Sequence, residues 1–171
     1  ARFRLGPGDR DQPGFPLFGL FSTALGASAV IPLINPTKPA TVNAATWLET
    51  LNQHEVTYSF GSPAIWNRVT RHAVETGTTT PSLRLVLMAG APAPPDLLAR
   101  FESMLTRPDA EVATPYGATE SLPTTVINAQ EVLAETADRT LEGAGTCVGR
   151  VLPGVDVRVV RITDDPIPTW T

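Results

Sequence analysis

The sequence has little of what several common classes of protein require. Its one cysteine, Cys147, cannot form a disulfide within the chain, so we expect a reducing, cytoplasmic setting. The net charge of −4 provides no basic stripe for a nucleic-acid backbone, and we expect no nucleic-acid partner. Two histidines, His54 and His72, and a single thiol argue against a metal cage of nitrogen and sulfur ligands.

The motifs of several enzyme classes are missing too. The chain has no Gly-x-Ser-x-Gly nucleophile elbow and no Gly-Lys-Ser/Thr phosphate loop, which argues against the enzymes that depend on them. Gly143, Gly145 and Gly149 are spaced one residue too widely for the dinucleotide fingerprint, and no clear strand precedes them. A Rossmann cofactor site is therefore not expected.

What the chain does have is apolar sequence broken by turns. Residues 15–34 (FPLFGLFSTALGASAVIPLI) are the most apolar stretch, but prolines and glycines divide it, so we expect no transmembrane segment. The pattern predicts a buried helix over residues 17–25, a turn, and a buried strand over residues 28–33. Residues 1–14 are polar and rich in Gly and Pro, which predicts a flexible lead-in.

Beyond this stretch, segments typical of helices and of strands alternate along the chain. Helices are predicted because apolar residues recur every three or four positions, and residues typical of helix starts precede them. The alternation predicts an α/β fold, with a mostly parallel sheet flanked by helices. The predicted elements are helices starting after Thr41 or Asn43, after Ser62 and near residues 94–96, strands over residues 56–60, 83–89, 111–115, 123–126 and 155–161, and a partly helical excursion over residues 128–145.

Two loops that follow successive strands carry residues suited to a nucleotide. Because the carboxyl ends of parallel strands lie at one edge of a sheet, we expect these loops to form one crevice. A glycine lets a flat ligand approach the backbone, a tyrosine ring can stack on a base, a threonine can bind phosphate, and a glutamate can hold Mg²⁺. Taken alone, a polar turn after a strand explains the second loop as well. The residues are Gly90, Ala91 and Pro92 in the first loop, and Tyr116, Gly117, Thr119 and Glu120 in the second.

Three segments in order closely resemble the adenylate-forming superfamily, which includes acyl-CoA synthetases, peptide-synthetase adenylation domains and luciferases. They are residues 83–92 (LRLVLMAGAP), 116–120 (YGATE) and 148–154 (VGRVLPG), and the resemblance extends from about Phe15 to Arg161. It implies an enzyme that uses ATP and Mg²⁺. By residue, it implies that Gly90, Ala91 and Pro92 line an adenine pocket, Tyr116 packs on the adenine, Gly117 lies near the reacting carboxylate, Thr119 contacts the α-phosphate, and Glu120 binds Mg²⁺.

A narrower resemblance is to the β-lactone synthetases of bacterial olefin biosynthesis. It is carried by residues 15–21 (FPLFGLF), 29–32 (AVIP) and 35–40 (NPTKPA), with Gly19 where acyl-CoA ligases often have histidine. This branch would activate a long-chain β-hydroxy acid as its adenylate and close it to a β-lactone with release of AMP. A fatty acyl-CoA ligase and a non-catalytic binding module that retains the fold are the alternatives. Residues 17–33 suit an alkyl-chain tunnel, although core packing explains them equally well.

The resemblance also implies parts that the chain lacks. The phosphate loop of the family would precede residue 1, and its ribose-binding Asp and its mobile lid with a catalytic Lys would follow residue 171. We therefore interpret residues 15–171 as a central fragment of the large AMP-binding domain. We expect this fragment alone to bind ATP poorly and to be inactive, and its exposed sheet edges to favour a homo-oligomer.

Overall fold

The computed structural model describes residues 2–167, in which seven strands form one sheet. The spatial order is second, first, third, fourth, fifth, sixth, seventh; pairs among the first five strands are parallel, and the last two strands join antiparallel. The predicted α/β fold with a mostly parallel sheet is therefore confirmed. The strands are β1 (Arg10–Asp11), β2 (Ser28–Ala29), β3 (Tyr58–Gly61), β4 (Leu85–Met88), β5 (Glu111–Ala118), β6 (Ser121–Asn128) and β7 (Arg150–Val151).

Helices connect the parallel strands, and their starts follow the residues that predicted them. The Asn43 side chain accepts a hydrogen bond from the Thr46 N–H at 3.1 Å, which caps the second helix, and Pro63 occupies the first position of the third. The helices are α1 (Phe18–Ala24), α2 (Ala44–Gln53), α3 (Pro63–Thr76) and α4 (Pro95–Met104), with a 3₁₀ turn at Pro39–Thr41. A helical segment over residues 129–144 then combines α5 (Ala129–Glu131), a π-helical turn (Val132–Thr136), α6 (Ala137–Arg139) and a second π-helical turn (Thr140–Ala144).

One face of the sheet carries the main core, beneath α2, α3 and α4. Trp66 of α3 packs between Trp47 of α2 and Phe101 of α4, with ring centroids 5.9 and 5.3 Å apart. Val86 and Met88 of β4 point into this cluster. The alternate residues of β4 pack on the opposite face with Tyr58, which explains why this strand is apolar throughout.

The opposite face is covered less fully, and here the prediction of a buried helix over residues 17–25 is wrong. The helix forms as α1, but only its small residues Gly19 and Ser22 are buried. Leu20 and Phe21 point away from the sheet, and Leu20 is 66% exposed, whereas Phe18 is half-buried against Phe60 of β3. The helix repeat predicted the secondary structure correctly, whereas burial depends on what lies against the helix. The exposed apolar residues of α1 and its flanks are Leu17, Leu20, Phe21 and Leu25.

Two strand predictions also need correction. The strand predicted over residues 28–33 is paired only at Ser28–Ala29. Residues 155–161 form no strand, although valines alternate there with charged residues, and Val159 is 99% exposed. A strand requires a partner for its backbone hydrogen bonds, and β7 at the edge of the sheet ends at Val151, before this segment begins.

Part of the lead-in belongs to the sheet instead of forming a loop. β1 lies between β2 and β3, and Asp11 and Gln12 are buried. Just before β1, Asp9 accepts hydrogen bonds from Arg84 and Thr57. Partial burial alone would raise the pKa of Asp9, but these hydrogen bonds outweigh it and hold that pKa below its usual value. In residues 2–167, no helix is long and apolar enough to cross a membrane.

Candidate functional site

The two candidate loops leave neighbouring strands at the same edge of the sheet. β4 and β5 are parallel, and Leu87 pairs with Ala113. Three residues further along each strand direction lie Gly90, in the loop after β4, and Tyr116, which is still within β5, so both segments run towards the same edge and the tip of the second extends beyond the first. The sheet therefore brings both loops towards one edge, as predicted. The ligand-binding roles of their residues stay a prediction.

The second loop is the tip of a β-hairpin, which differs in detail from the expected turn after residue 115. β5 continues through Pro115 to Ala118, and β6 returns antiparallel from Ser121. Thr119 and Glu120 form the two-residue connection between the strands. The strand extends beyond the predicted end because β6 supplies a pairing partner that the local sequence of β5 does not reveal.

Gly117 is required by the hairpin itself. The pairing register shifts between Tyr116 and Ala118, because residues 122–124 of β6 bulge opposite this single glycine of β5. A Cβ atom placed on Gly117 would lie 2.2 Å from the backbone oxygen of Ser121, a distance that only displacement of the backbone could relieve. A structural reason therefore accounts for this glycine, whether or not a ligand also lies close to it.

The first loop is open to solvent. Gly90 has φ of +94°, a conformation that side-chain-bearing residues rarely adopt, and a Cβ atom there would meet nothing within 4 Å. Ala91 and Pro92 are exposed as well. The loop therefore has space above its backbone, as a flat ligand lying on it would need.

The third segment of the resemblance lies beside the hairpin. Tyr116 pairs with Thr125 of β6, and Thr125 pairs with Val151 of β7. The Thr125 hydroxyl also donates a hydrogen bond to the carbonyl of Val148, which ties the loop before β7 to the hairpin. The three segments thus lie on β4, on the end of β5 and on β7, and β6 separates the last two.

The polar side chains at the hairpin tip are available for a ligand. Tyr116 is 56% exposed, and Thr119 and Glu120 are also exposed. Within residues 2–167 these three side chains make no hydrogen bond or ion pair, whereas Asp96 and Asp109 are paired with arginines. No cluster of three or more metal-ligating side chains occurs in the described part of the chain, so Glu120 would be a single protein ligand. That arrangement fits Mg²⁺, which often takes one or two carboxylates together with phosphate oxygens and water.

A groove elsewhere on the described part of the chain is not part of this site. It encloses about 440 Å³ between α4, the start of β5 and the helical segment 129–144. It therefore faces the amino end of β5, opposite the candidate edge. The charged residues along it are largely paired with each other, Arg2 with Glu111 and Arg107 with Asp109.

A buried carboxylate, Asp11, is not predicted from the sequence. It lies on β1 and is 1% exposed, and burial raises its pKa to about 6. Burial also raises the pKa of the neighbouring Tyr58 to about 12. No local signal marks this aspartate, because the sequence around it is polar and rich in Gly and Pro.

Comparison with known proteins identifies the family. A family model described as AMP-binding enzyme matches residues 15–171, and the chain belongs to this family of adenylate-forming ligases and synthetases. It is 43% identical to the olefin beta-lactone synthetase of Xanthomonas campestris over 99% of the chain. It is 41% identical to the olefin beta-lactone synthetase of Stenotrophomonas maltophilia over all 171 residues of the chain. It is 30% identical to the long-chain-fatty-acid–CoA ligase of Thermus thermophilus over 86% of the chain.

The chain spans about a third or less of each relative. It covers 29% and 30% of the two beta-lactone synthetases and 26% of the ligase. Among solved structures, the o-succinylbenzoate coenzyme A synthetase of Bacillus subtilis, in complex with ATP and magnesium ion, superposes with a TM-score of 0.64 at 21% identity. This superposition covers 94% of the chain and 30% of the synthetase, and it shows a shared fold.

Replacing Gly117 by alanine should weaken the hairpin. The added methyl group would overlap the Ser121 backbone, and we expect Gly117→Ala to lower the free energy of unfolding by about 1–3 kcal/mol in urea denaturation. Gly6→Ala is the matched control, since the nearest atom to a Cβ there is 3.9 Å away. Equal stability of both variants would show that the bulge tolerates a side chain.

Proposed function

We propose that this chain is the central part of an ATP-dependent enzyme that activates a long-chain β-hydroxy acid as its acyl-adenylate and closes it to a β-lactone. The carrying observation is that the three family segments lie on β4, β5 and β7 of one sheet, in a chain 41–43% identical to olefin beta-lactone synthetases. In this proposal residues 15–171 belong to the large AMP-binding domain, and the enzyme acts in the cytoplasm.

The proposed roles follow the positions of the loop residues. The adenine ring would lie between the backbone of Gly90, Ala91 and Pro92 and the ring of Tyr116. Thr119 would donate a hydrogen bond to the α-phosphate, and Glu120 would hold Mg²⁺. Bound ATP supplies the adenylyl group, and Mg²⁺ offsets the negative charge of the phosphates. The exposure of the loop residues and the unpaired side chains at the hairpin tip support this assignment.

Lactone closure needs no second substrate. The β-hydroxyl oxygen of the adenylate would attack the acyl carbonyl carbon, the bond from that carbon to the phosphate oxygen would break, and AMP would leave as the hydroxyl proton is released. The nucleophile is already attached to the molecule that carries the carbonyl, which provides the advantage of an intramolecular reaction. The full-length protein would supply the phosphate loop, the ribose-binding Asp and the lid.

The exposed apolar face of α1 fits the alkyl chain of such an acid. Core packing does not account for this face among residues 2–167, because its leucines and Phe21 point into solvent. Phe18 at the start of α1 packs on Phe60 of β3 with centroids 4.3 Å apart, and Phe60 pairs with Leu87. Gly90 follows Leu87 by three residues, so the helix starts near the edge that carries the candidate loops. An alkyl chain extending from that edge would meet an apolar surface.

The products distinguish a lactone synthetase from a CoA ligase. We expect the full-length protein that carries this chain, given ATP, Mg²⁺ and a long-chain β-hydroxy acid without CoA, to form AMP and a β-lactone detectable by mass spectrometry. Formation of a thioester only when CoA is present would favour the ligase, which the similarity to the Thermus thermophilus enzyme keeps open. Absence of AMP formation under both conditions would contradict the proposed activity.

Removing the charge of Glu120 should impair adenylation. In the full-length protein we expect Glu120→Gln to lower kcat roughly a hundredfold, with partial recovery at higher Mg²⁺ concentration, because one carboxylate ligand is lost. Glu142→Gln, a change at another exposed glutamate, is the control and should leave kcat unchanged. Full activity of Glu120→Gln would remove this residue from the proposed metal site.

The alkyl-chain assignment can be tested on α1. We expect Leu20→Ser to raise the KM of a long-chain acid roughly tenfold, and that of a short-chain acid much less, because one apolar contact is lost. Val74→Ser alters an exposed apolar residue of α3 and should change neither value. Reduced thermal stability of Leu20→Ser with an unchanged KM for every acid would show that another part of the polypeptide covers this face.

A further inference from the structure

α1 is attached to the sheet by the ring of Phe18, which packs on Phe60 of β3, and by two small buried residues. Its buried residues are Gly19 and Ser22, and a Cβ atom at Gly19 would lie 3.1 Å from the Ile31 side chain. The Ser22 hydroxyl donates a hydrogen bond to the carboxylate of Asp11 on β1. This hydrogen bond joins α1 directly to the sheet. The position of the helix therefore depends strongly on Asp11.

Asp11 has no cation to balance its charge. Its neighbour on β2 is Ala29 and its neighbour on β3 is Tyr58, while α1 contributes Ser22. The nearby charged groups are Asp9 and Arg84, and Arg84 is bound to Asp9. The second carboxylate oxygen of Asp11 has no hydrogen-bond partner among residues 2–167. One neutral hydroxyl is thus the main compensation for burying this carboxylate.

Such a group couples the docking of α1 to ionisation. Burial raises the pKa of Asp11 to about 6, and its ordinary value of 3.8 would be restored if α1 moved away and water reached it. The docked helix therefore favours the protonated form. Docking is strongest below pH 4, weakens as the pH rises towards 6, and stays weaker at neutral pH, where Asp11 is ionised.

We propose that Asp11 is a positioning residue whose buried charge keeps α1 loosely docked, so that the helix can shift when its apolar face receives the alkyl chain of the acid. The second half of this statement rests on the proposed function. An asparagine at this position would keep an acceptor for Ser22 without the charge. An asparagine would therefore hold the helix firmly. Only a carboxylate, which is ionised at neutral pH, keeps the helix adjustable.

Hydrogen exchange of α1 in the full-length protein tests the first half. At pH 7.5 we expect Asp11→Asn to raise the protection of the α1 amides roughly ten- to a hundredfold, since the cost of burying the charge is removed. The difference should narrow to roughly sixfold by pH 4.5, where the docked Asp11 of the unchanged protein is protonated, and should close only below pH 4. Ser22→Ala should lower the protection about fivefold, because the carboxylate loses its one hydrogen bond.

Matched controls separate this effect from general stability. Asp109→Asn changes an exposed, arginine-paired aspartate and should leave α1 unaffected, and the amides of α4 should be unchanged in the position-11 and position-22 variants. Unchanged or reduced α1 protection in Asp11→Asn at pH 7.5 would overturn the proposal, because the charge would then hold the helix in place. If Asp11→Asn does not fold, the unchanged protein still tests the proposal. The hydrogen-exchange protection of its α1 amides, relative to that of its α4 amides, must rise when the pH is lowered from 7.5 to 4.5.

Kinetics of the same variants test the second half. We expect Asp11→Asn to raise the KM for a long-chain acid about fivefold at pH 7.5, with kcat and the KM for ATP unchanged, because fewer molecules have the helix shifted. An unchanged KM despite altered exchange would limit Asp11 to docking and refute its role in substrate entry. Failure of the unchanged protein to form AMP would instead refute the proposed function. The hydrogen-exchange result would still test the docking of α1, because it does not depend on that function.

Discussion

The parallel register of β3, β4 and β5 is the constraint on which the rest of the structure depends. It places Tyr58 beside Leu85 and Leu85 beside Glu111, so that each of the three strands runs to the same edge of the sheet. The loops after β4 and β5 therefore come together although they are separated along the chain. The strands behind these loops, and not the loops, provide the packing, so the exposed loop residues are not needed for the core.

The two faces of the sheet are unequal, and this inequality has a functional meaning. One face is sealed by the tryptophans and Phe101 of α2, α3 and α4, and it provides a rigid support for the candidate edge. The other face is covered by α1 through Phe18, two small residues and a hydrogen bond to a buried carboxylate. The activity proposed above would benefit from this arrangement, because stiff packing would hold a nucleotide and weaker packing would admit a long flexible chain.

The elements that were predicted well are those whose signal is local. The apolar repeat of α2, the cap at Asn43 and the apolar run of β4 lie within a few residues of the structures they specify. The elements predicted wrongly depend on distant partners. Residues 155–161 have the composition of a strand without a partner in residues 2–167, and β1 forms in a polar stretch because β2 and β3 flank it. Family motifs pointed to the candidate site residues, but they did not reveal the hairpin or the bulge at Gly117.

By itself, the sequence determined where the main helices begin, and which segments carry an aromatic ring, a hydroxyl and a carboxylate. Only the tertiary structure decided that these segments run to one edge of the sheet, that Leu20 and Phe21 of α1 face outward, and that Asp11 is buried beneath that helix. The reason is physical: secondary structure follows from interactions between residues close in the chain, whereas pairing, burial and a shifted pKa arise from groups that only folding brings together.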